Sequence, residues 1–293
     1  MGFFNRQEAK WKARMAMRGA YPHPMLVTLV YMLLSVGVTA LVMRFVTNPF
    51  DLAYQYMWEG RYEISDIYRY VFTAERTSLF TVVQLLIGLY GMVVGFGYTS
   101  YSLRLARGEQ PGYRNLLDGF AVAGRVLAAG ILMNIFANLW AALGLIPYVI
   151  LMVISIMTDA LVLLPVAFLF LILAIILATV AGLRYRLTYY FLLDNPEMGA
   201  MEAIRHSKAA MKGWKGSAFL LELSFVGWML LVPFTFGILA LWLHPYIGAS
   251  DANFYDHVVH GAFGPQTDGT NPGQPGGYHS NYDGGPQDPG APF

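Results

Sequence analysis

The sequence is dominated by uninterrupted apolar runs, several of which are long enough to cross a lipid bilayer. A transmembrane helix needs about 20 predominantly apolar residues. Hydrophobic residues make up 56% of the 293 positions and charged residues 13%, whereas soluble domains average about 45–50% and about 25%. This pattern predicts an all-α polytopic membrane protein, a helix bundle of about six transmembrane helices with amphipathic interfacial helices.

The runs predict a transmembrane domain over residues 25–260. Its spans are expected at about 25–47, 79–101, 119–145, 166–192, 217–232 and 236–258. Tyr148–Leu164, which contains Asp159, is expected to form a re-entrant or outer-surface insertion, because the surrounding run is too long for one span and too short for two. A turn at Pro233–Gly237 gives six spans, whereas a single span ending near His244 gives five. Both alternatives remain open.

Basic residues cluster beside these runs and set the expected orientation. Residues 1–24 predict a basic amphipathic helix ended by Pro22 and Pro24, and residues 104–118 and 184–215 are also rich in Lys and Arg. Short loops with excess Lys and Arg face the cytoplasm, so the N-terminus is expected inside. Residues 48–77 form a polar outer loop in this topology, with Trp58 at headgroup level.

Two further segments have distinct compositions. Residues 261–293 are rich in Gly and Pro and are expected to be disordered, because such a composition cannot form a core. No Lys or Arg follows Lys215, which leaves the side of this tail open. Residues 196–215 predict an interfacial helix with Asn195 as its N-cap. Its basic face is expected to bind anionic headgroups of the bilayer; the face comprises Arg205, Lys208, Lys212 and Lys215.

Several polar side chains interrupt the predicted spans. Glu222 and Arg125 lie at similar depths from the cytoplasmic side and could form a buried pair, because charges inside a membrane usually find a partner. Alternatively, each side chain extends separately to the headgroups. Asn134 and Asn138 share one helix face, which favours interhelical hydrogen bonds or a polar stripe that contacts substrate. His244 completes this candidate intramembrane polar site.

The sequence contains no enzyme motif and predicts no catalytic residue, cofactor or metal ligand set. It lacks cysteine, which excludes disulfides and thiolate chemistry. No phosphate-binding loop, zinc-protease motif or nucleophile elbow occurs. The net charge of +1, with basic residues clustered beside apolar runs, gives no indication of nucleic-acid binding.

The C-terminal half carries a set of short motifs with a family resemblance. They are Ser-Lys-x-x-Met-x-Gly at Ser207–Gly213, Leu-Ser-Phe-x-Gly-Trp at Leu223–Trp228, Leu-Trp-x-x-Pro-Tyr at Leu241–Tyr246, and Phe254-Tyr255. The chain resembles the bacterial integral membrane family "domain of unknown function 975" over most of its length, apart from the apolar insertion after Pro147. This resemblance implies the bacterial plasma membrane and about six helices, and it supplies no catalytic residues.

Two functions follow as hypotheses. The first is a non-catalytic scaffold or accessory subunit of envelope or transport machinery, which would bind a membrane protein partner. The alternative is a small-molecule or lipid transporter that uses the intramembrane polar residues.

Overall fold

The computed structural model describes residues 4–60, 69, 71–158 and 160–263, and most of these residues are helical, with no strand among them. Residues 261–293, the predicted tail, lie almost wholly outside the described residues. The main helices are α1 (Arg6–Arg18), α2 (Pro24–Met43), α3 (Pro49–Glu59), α4 (Ala74–Ala106), α5 (Ala123–Thr158), α6 (Leu164–Tyr185), α7 (Thr188–Asp194), α8 (Ala200–Ala210), α9 (Lys215–Leu231) and α10 (Ile238–Phe263).

Five helical segments in the described part of the chain are long and apolar enough to cross a membrane. They are Pro24–Met43, Ala74–Ala106, Ala123–Thr158, Leu161–Asp194 and Lys215–Thr235. This confirms the predicted all-α fold with several helices that can span a bilayer. The final helix, α10, is not one of these five segments.

The apolar insertion after Pro147 lengthens two helices instead of forming a re-entrant loop. Helix α5 continues through Pro147 to Thr158, and α6 begins at Leu164. Two hydrogen bonds close the turn between these helices. The Ser155 hydroxyl donates to the Ala160 carbonyl at 3.1 Å, and the Ala160 N–H donates to the Ser155 carbonyl at 3.2 Å. The re-entrant form of the insertion expected over 148–164 was therefore wrong, because proline does not break a membrane helix whose neighbours pack around it. Asp159 lies outside the described residues.

Close packing of α5 against α6 depends on Gly144. A Cβ atom at this position would lie 2.5 Å from the backbone nitrogen of Ala174 and 2.8 Å from the carbonyl oxygen of Phe170. Small residues allow such approach where helices associate without a hydrophobic driving force. The two helices consequently form one long antiparallel hairpin.

The buried core lies at one end of the molecule, which we call the α1 end. Helix α10 occupies its centre and packs against α1, α2, α4 and α9. Phe4 meets Phe254 edge-on at 4.9 Å between ring centroids, and the Asn253 amide donates to the Ala9 carbonyl at 3.0 Å. The opposite halves of the long helices expose large apolar side chains, as expected of surfaces that face lipid.

Helix α1 also binds α9 through its basic residues. The Lys10 ammonium donates to the Ser224 carbonyl at 3.2 Å and lies 4.1 Å from the centre of the Phe225 ring. Burial lowers the pKa of Lys10, and the nearby charges of Arg6 and Arg14 lower it further. The N-terminal helix is therefore docked on the bundle and does not simply lie on the membrane surface.

Two local predictions were wrong. Residues 48–77 were expected to be a loop, but α3 begins there, with the Asn48 side chain accepting from the Phe50 N–H at 3.0 Å. Asn195 was expected to start a helix, but it ends α7 and donates to the Phe191 carbonyl at 3.1 Å. The preceding segment is itself helical and buried, so Asn195 caps its C-terminal end, and α8 starts later, at Ala200.

The chain turns between α9 and α10, as the hairpin alternative requires. Phe236 and Gly237 both adopt left-handed backbone conformations, with φ of 51° and 83°. Helix α10 then runs back to the α1 end. A single long span that ends near His244 is excluded.

Replacing Gly144 by alanine should loosen the α5–α6 hairpin. We expect a loss of about 1–3 kcal/mol, the usual cost of overpacking, because the new methyl group would strike backbone atoms. Gly124→Ala is the matched control, since a Cβ there meets nothing within 4 Å. Thermal unfolding in detergent, followed by tryptophan fluorescence, measures the difference, and equal midpoints would contradict the packing argument.

Candidate functional site

Arg107 joins three helices at the α1 end. It directly follows α4, and its guanidinium binds both carboxylate oxygens of Asp194 at 2.7 and 2.8 Å. The same group donates to Asp256 of α10 at 2.8 Å. Burial alone would lower the pKa of Arg107, but the hydrogen bonds and charges of Asp194 and Asp256 outweigh it and raise that pKa. The guanidinium therefore stays charged.

Arg186 forms a second junction of the same kind. It lies between α6 and α7 and donates to Asp251 of α10 at 2.7 Å. Its other terminal nitrogen forms an ion pair with Glu222 of α9. The Arg186 side chain is 13% exposed, whereas that of Glu222 is 45% exposed, so the arginine lies inside the bundle and the glutamate at its edge.

Aromatic residues connect the two junctions. The Tyr255 hydroxyl donates to Asp194 at 2.9 Å, and its ring stacks on Tyr190 at 4.9 Å. Tyr190 follows Arg186 by one helical turn, and Tyr255 stands one turn from Asp251. We call the set the arginine network; it comprises Arg107, Arg186, Tyr190, Asp194, Glu222, Asp251, Tyr255 and Asp256.

The network corrects the predicted partner of Glu222. The sequence suggested Arg125, but the structure pairs Glu222 with Arg186, and no ion pair of Arg125 occurs among the described residues. In the sequence, Arg107 and Arg186 lie in basic stretches that indicate orientation and not pairing. The available signal was α10 itself, because Asp251 and Asp256 in an apolar helix need buried partners.

The remaining candidate polar residues do not converge on one cavity. Asn134 and Asn138 donate to carbonyls one turn earlier in their own helix, at 2.9 and 2.8 Å. Both line a groove of about 620 Å³ between α4 and α5. Asn134 also lines a smaller cleft of about 270 Å³ with Arg186. His244 lies elsewhere, near the rings of Tyr31 and Tyr98 at 6.0 and 5.8 Å.

The four residues of the predicted basic face lie in α8, in the turn after it and at the start of α9. Arg205, Lys208 and Lys212 are exposed, and Lys215 is half-buried at the start of α9. The opposite face of α8 is buried and includes Ile204 and Ser207. The Ser207 hydroxyl ties α8 to α6 by donating to the Arg184 carbonyl at 3.0 Å.

A cleft of about 590 Å³ opens beside the arginine network. Helix α1 and the end of α10 form its walls, and Arg107 and Asp256 lie at its base. Glu8 and Lys12 of α1, paired at 2.8 Å, stand at its rim. Within the described part of the chain, no group of three or more His, Cys, Asp or Glu side chains could hold a metal ion.

Residues 1–261 match the family described as "Protein of unknown function (DUF975)". The chain belongs to this family. Comparisons with curated proteins and with solved structures found no match. In this DUF975 protein the matched region ends at residue 261, beyond Asp256, so it includes the whole arginine network.

Removing the Arg107 guanidinium should destabilise the α1 end strongly. We expect Arg107→Ala to cost about 3 kcal/mol, the lower end for breaking a buried pair, since the side chain is 22% exposed. Arg107→Lys should restore little, because lysine cannot bind a carboxylate through two nitrogens. Arg104→Ala is the control, because its pair with Glu109 is about half exposed. Thermal midpoints that fall equally in both alanine variants would contradict this role.

A double-mutant cycle should distinguish the observed partner of Glu222 from the predicted one. Arg186→Gln and Glu222→Gln should show a coupling of about 0.5–1 kcal/mol, as for partly exposed pairs. Arg125→Gln and Glu222→Gln should be additive, because uncoupled sites add. Unfolding free energies in detergent measure both, and the reverse pattern would restore Arg125 as the partner.

Proposed function

We propose that this DUF975 protein is a non-catalytic scaffold or accessory subunit in the bacterial plasma membrane, with a cytoplasmic N-terminus. The groove between α4 and α5 supports this proposal most directly. Its lining is almost entirely apolar and includes Leu85, Leu89 and Ile135. A groove of this kind suits a transmembrane helix of a partner protein.

The glycines of α4 support the same occupant. Gly88 lines the groove, and a Cβ at Gly88, Gly91 or Gly95 would meet no neighbouring atom within 4 Å among the described residues, apart from the local backbone of α4 itself. Small residues at three- or four-residue spacing let a second helix approach closely in lipid. Gly91 and Gly95 therefore leave room on α4 for close contact with a partner helix.

The exposed basic residues of α8 and the turn that follows it complete the proposal. Arg205, Lys208 and Lys212 attract anionic headgroups, each contributing about 1 kcal/mol near such a surface. They would fix the depth of the bundle in the bilayer. The groove would then lie at a constant depth relative to a partner's transmembrane helix.

A second function, small-molecule or lipid transport, is supported by the position of Asn134. This residue borders both the apolar groove and the cleft that contains Arg186. A bound lipid could place its acyl chains in the apolar groove and its headgroup near the cleft that contains Arg186.

Filling the groove should release the partner. We expect Gly88→Leu to lose a stoichiometric protein that co-purifies with the native chain in mild detergent, as measured by quantitative mass spectrometry. Gly227→Leu is the matched control, because it places the same side chain on open α9 surface. Leucine favours the helix over glycine by about 0.8 kcal/mol, so both variants should fold.

Three results would oppose the scaffold proposal. They are retention of the partner by Gly88→Leu, its loss from both variants, and absence of any protein partner from the native preparation. A native chain that carries a specific lipid or small molecule, lost on Glu222→Gln, would favour transport.

A further inference from the structure

Helices α9 and α10 extend much less far than α4 toward the end of the molecule opposite α1. The contact between Tyr98 and His244 provides a common reference level for this comparison. His244 of α10 lies beside Tyr98 of α4, with 5.8 Å between ring centroids. Ala74, where α4 begins, is 24 residues before Tyr98, whereas Ile238, where α10 begins, is 6 residues before His244. At 1.5 Å per residue these distances are about 36 Å and about 9 Å. The tip of the α9–α10 hairpin therefore stops roughly 27 Å short of the far end of α4.

The tip lies near the middle of the apolar part of α4. The stretch of α4 between Arg76 and Arg104 carries no charge, and its midpoint is Tyr90. Six residues before Tyr98 is Met92, which is level with Ile238 if the helices run side by side. Because both ends of this stretch carry arginine, its centre corresponds to the middle of the hydrocarbon layer, which is about 30 Å thick.

The length of α9 is consistent with a tip near the middle of the hydrocarbon layer. Lys215–Thr235 is long enough to cross a bilayer by length and composition alone, but its first part is occupied by the arginine network through Glu222. From Glu222 to Thr235 the chain rises about 20 Å, less than the hydrocarbon thickness. The rings of Trp228 and Trp242 lie 6.4 Å apart, so α9 and α10 are neighbours at this level of the hairpin.

The turn at the tip makes hydrogen bonds within itself, as a segment surrounded by hydrocarbon requires. The N–H groups of Phe236 and Gly237 bond to carbonyls within the turn at 3.1 Å. The Thr235 hydroxyl donates to the Val232 carbonyl at 2.9 Å and accepts from the Leu239 N–H at 3.2 Å. Backbone groups left unpaired in hydrocarbon cost several kcal/mol each. These bonds remove that cost inside the turn itself.

The side chains at the tip are apolar and project outward. Phe234, Phe236 and Ile238 are 81%, 96% and 70% exposed, and no charged residue lies between Glu222 and Asp251. Such a tip suits neither an aqueous surface nor the headgroup layer. Acyl chains are the solvent that matches it.

We propose that α9 and α10 form a re-entrant hairpin, which enters from the α1 end and turns near the bilayer midplane. Its tip contacts the acyl chains of the lipid bilayer. The four preceding long helices are then the full spans, and the end of α10 returns to the side from which α9 entered. The hairpin displaces lipid mainly from one leaflet.

Spin labels on single cysteines test the depth of the tip. The natural chain contains no cysteine, so Phe234→Cys provides the tip label, and Ile238→Cys provides a second label in case the first disturbs the turn. Gln55→Cys on α3 and Lys212→Cys after α8 serve as exposed controls, and Ile175→Cys serves as the control within the lipid-facing part of α6. The labelled proteins are placed in vesicles of phosphatidylethanolamine and phosphatidylglycerol.

Collision with oxygen and with a water-soluble nickel chelate then measures the surroundings of each label. We expect both tip labels to match Ile175→Cys, with strong oxygen collision and loss of nickel collision relative to Gln55→Cys and Lys212→Cys. Nickel collision equal to that of Gln55→Cys would place the tip at the far aqueous surface and overturn the proposal. Weak collision with both reagents would place protein, not lipid, against the tip and would overturn it equally.

Discussion

Two arginines hold the final helix in place, and the rest of the α1 end is arranged around that contact. Arg107 and Arg186 come from the ends of different long helices, yet both bind carboxylates of α10 that lie five residues apart, Asp256 and Asp251. Each arginine also binds a second acid from another helix. Since a buried charge is tolerated only when it is paired, these contacts fix how α4, α7, α9 and α10 meet.

The two ends of the molecule follow different physical rules. At the α1 end, large side chains such as Tyr101, Phe254 and Tyr255 are almost fully buried, as in a water-soluble core. Toward the far end, helices meet through small residues such as Gly144 and leave their large apolar side chains exposed. In lipid such exposure costs little, because the surroundings are as apolar as the side chains. Strong packing is therefore needed only where the polar network must be kept dry.

The sequence predicted the class and most long helices, because runs of about 20 apolar residues have few alternatives. It misplaced Tyr148–Leu164, since an apolar run carries no mark of where a hairpin turns and proline is a weak stop in lipid. It identified Glu222 but not its partner, because Arg186 lies in the Lys- and Arg-rich stretch 184–215, whose composition indicates orientation and says nothing about pairing. Asn195 illustrates the same limit: an N-cap and a C-cap can share one residue type, and only the buried helix before it decides between them.

The basic first helix lies beside an arginine network that has more acids than arginines. Two arginines face four carboxylates, Asp194, Glu222, Asp251 and Asp256, so the ionised network carries an excess of negative charge. Helix α1 lies against α10 and brings Lys12 to the cleft whose base is Asp256. Lys10 of α1 donates to the Ser224 carbonyl of α9 and lies against the Phe225 ring, so the basic N-terminal segment contributes to folding.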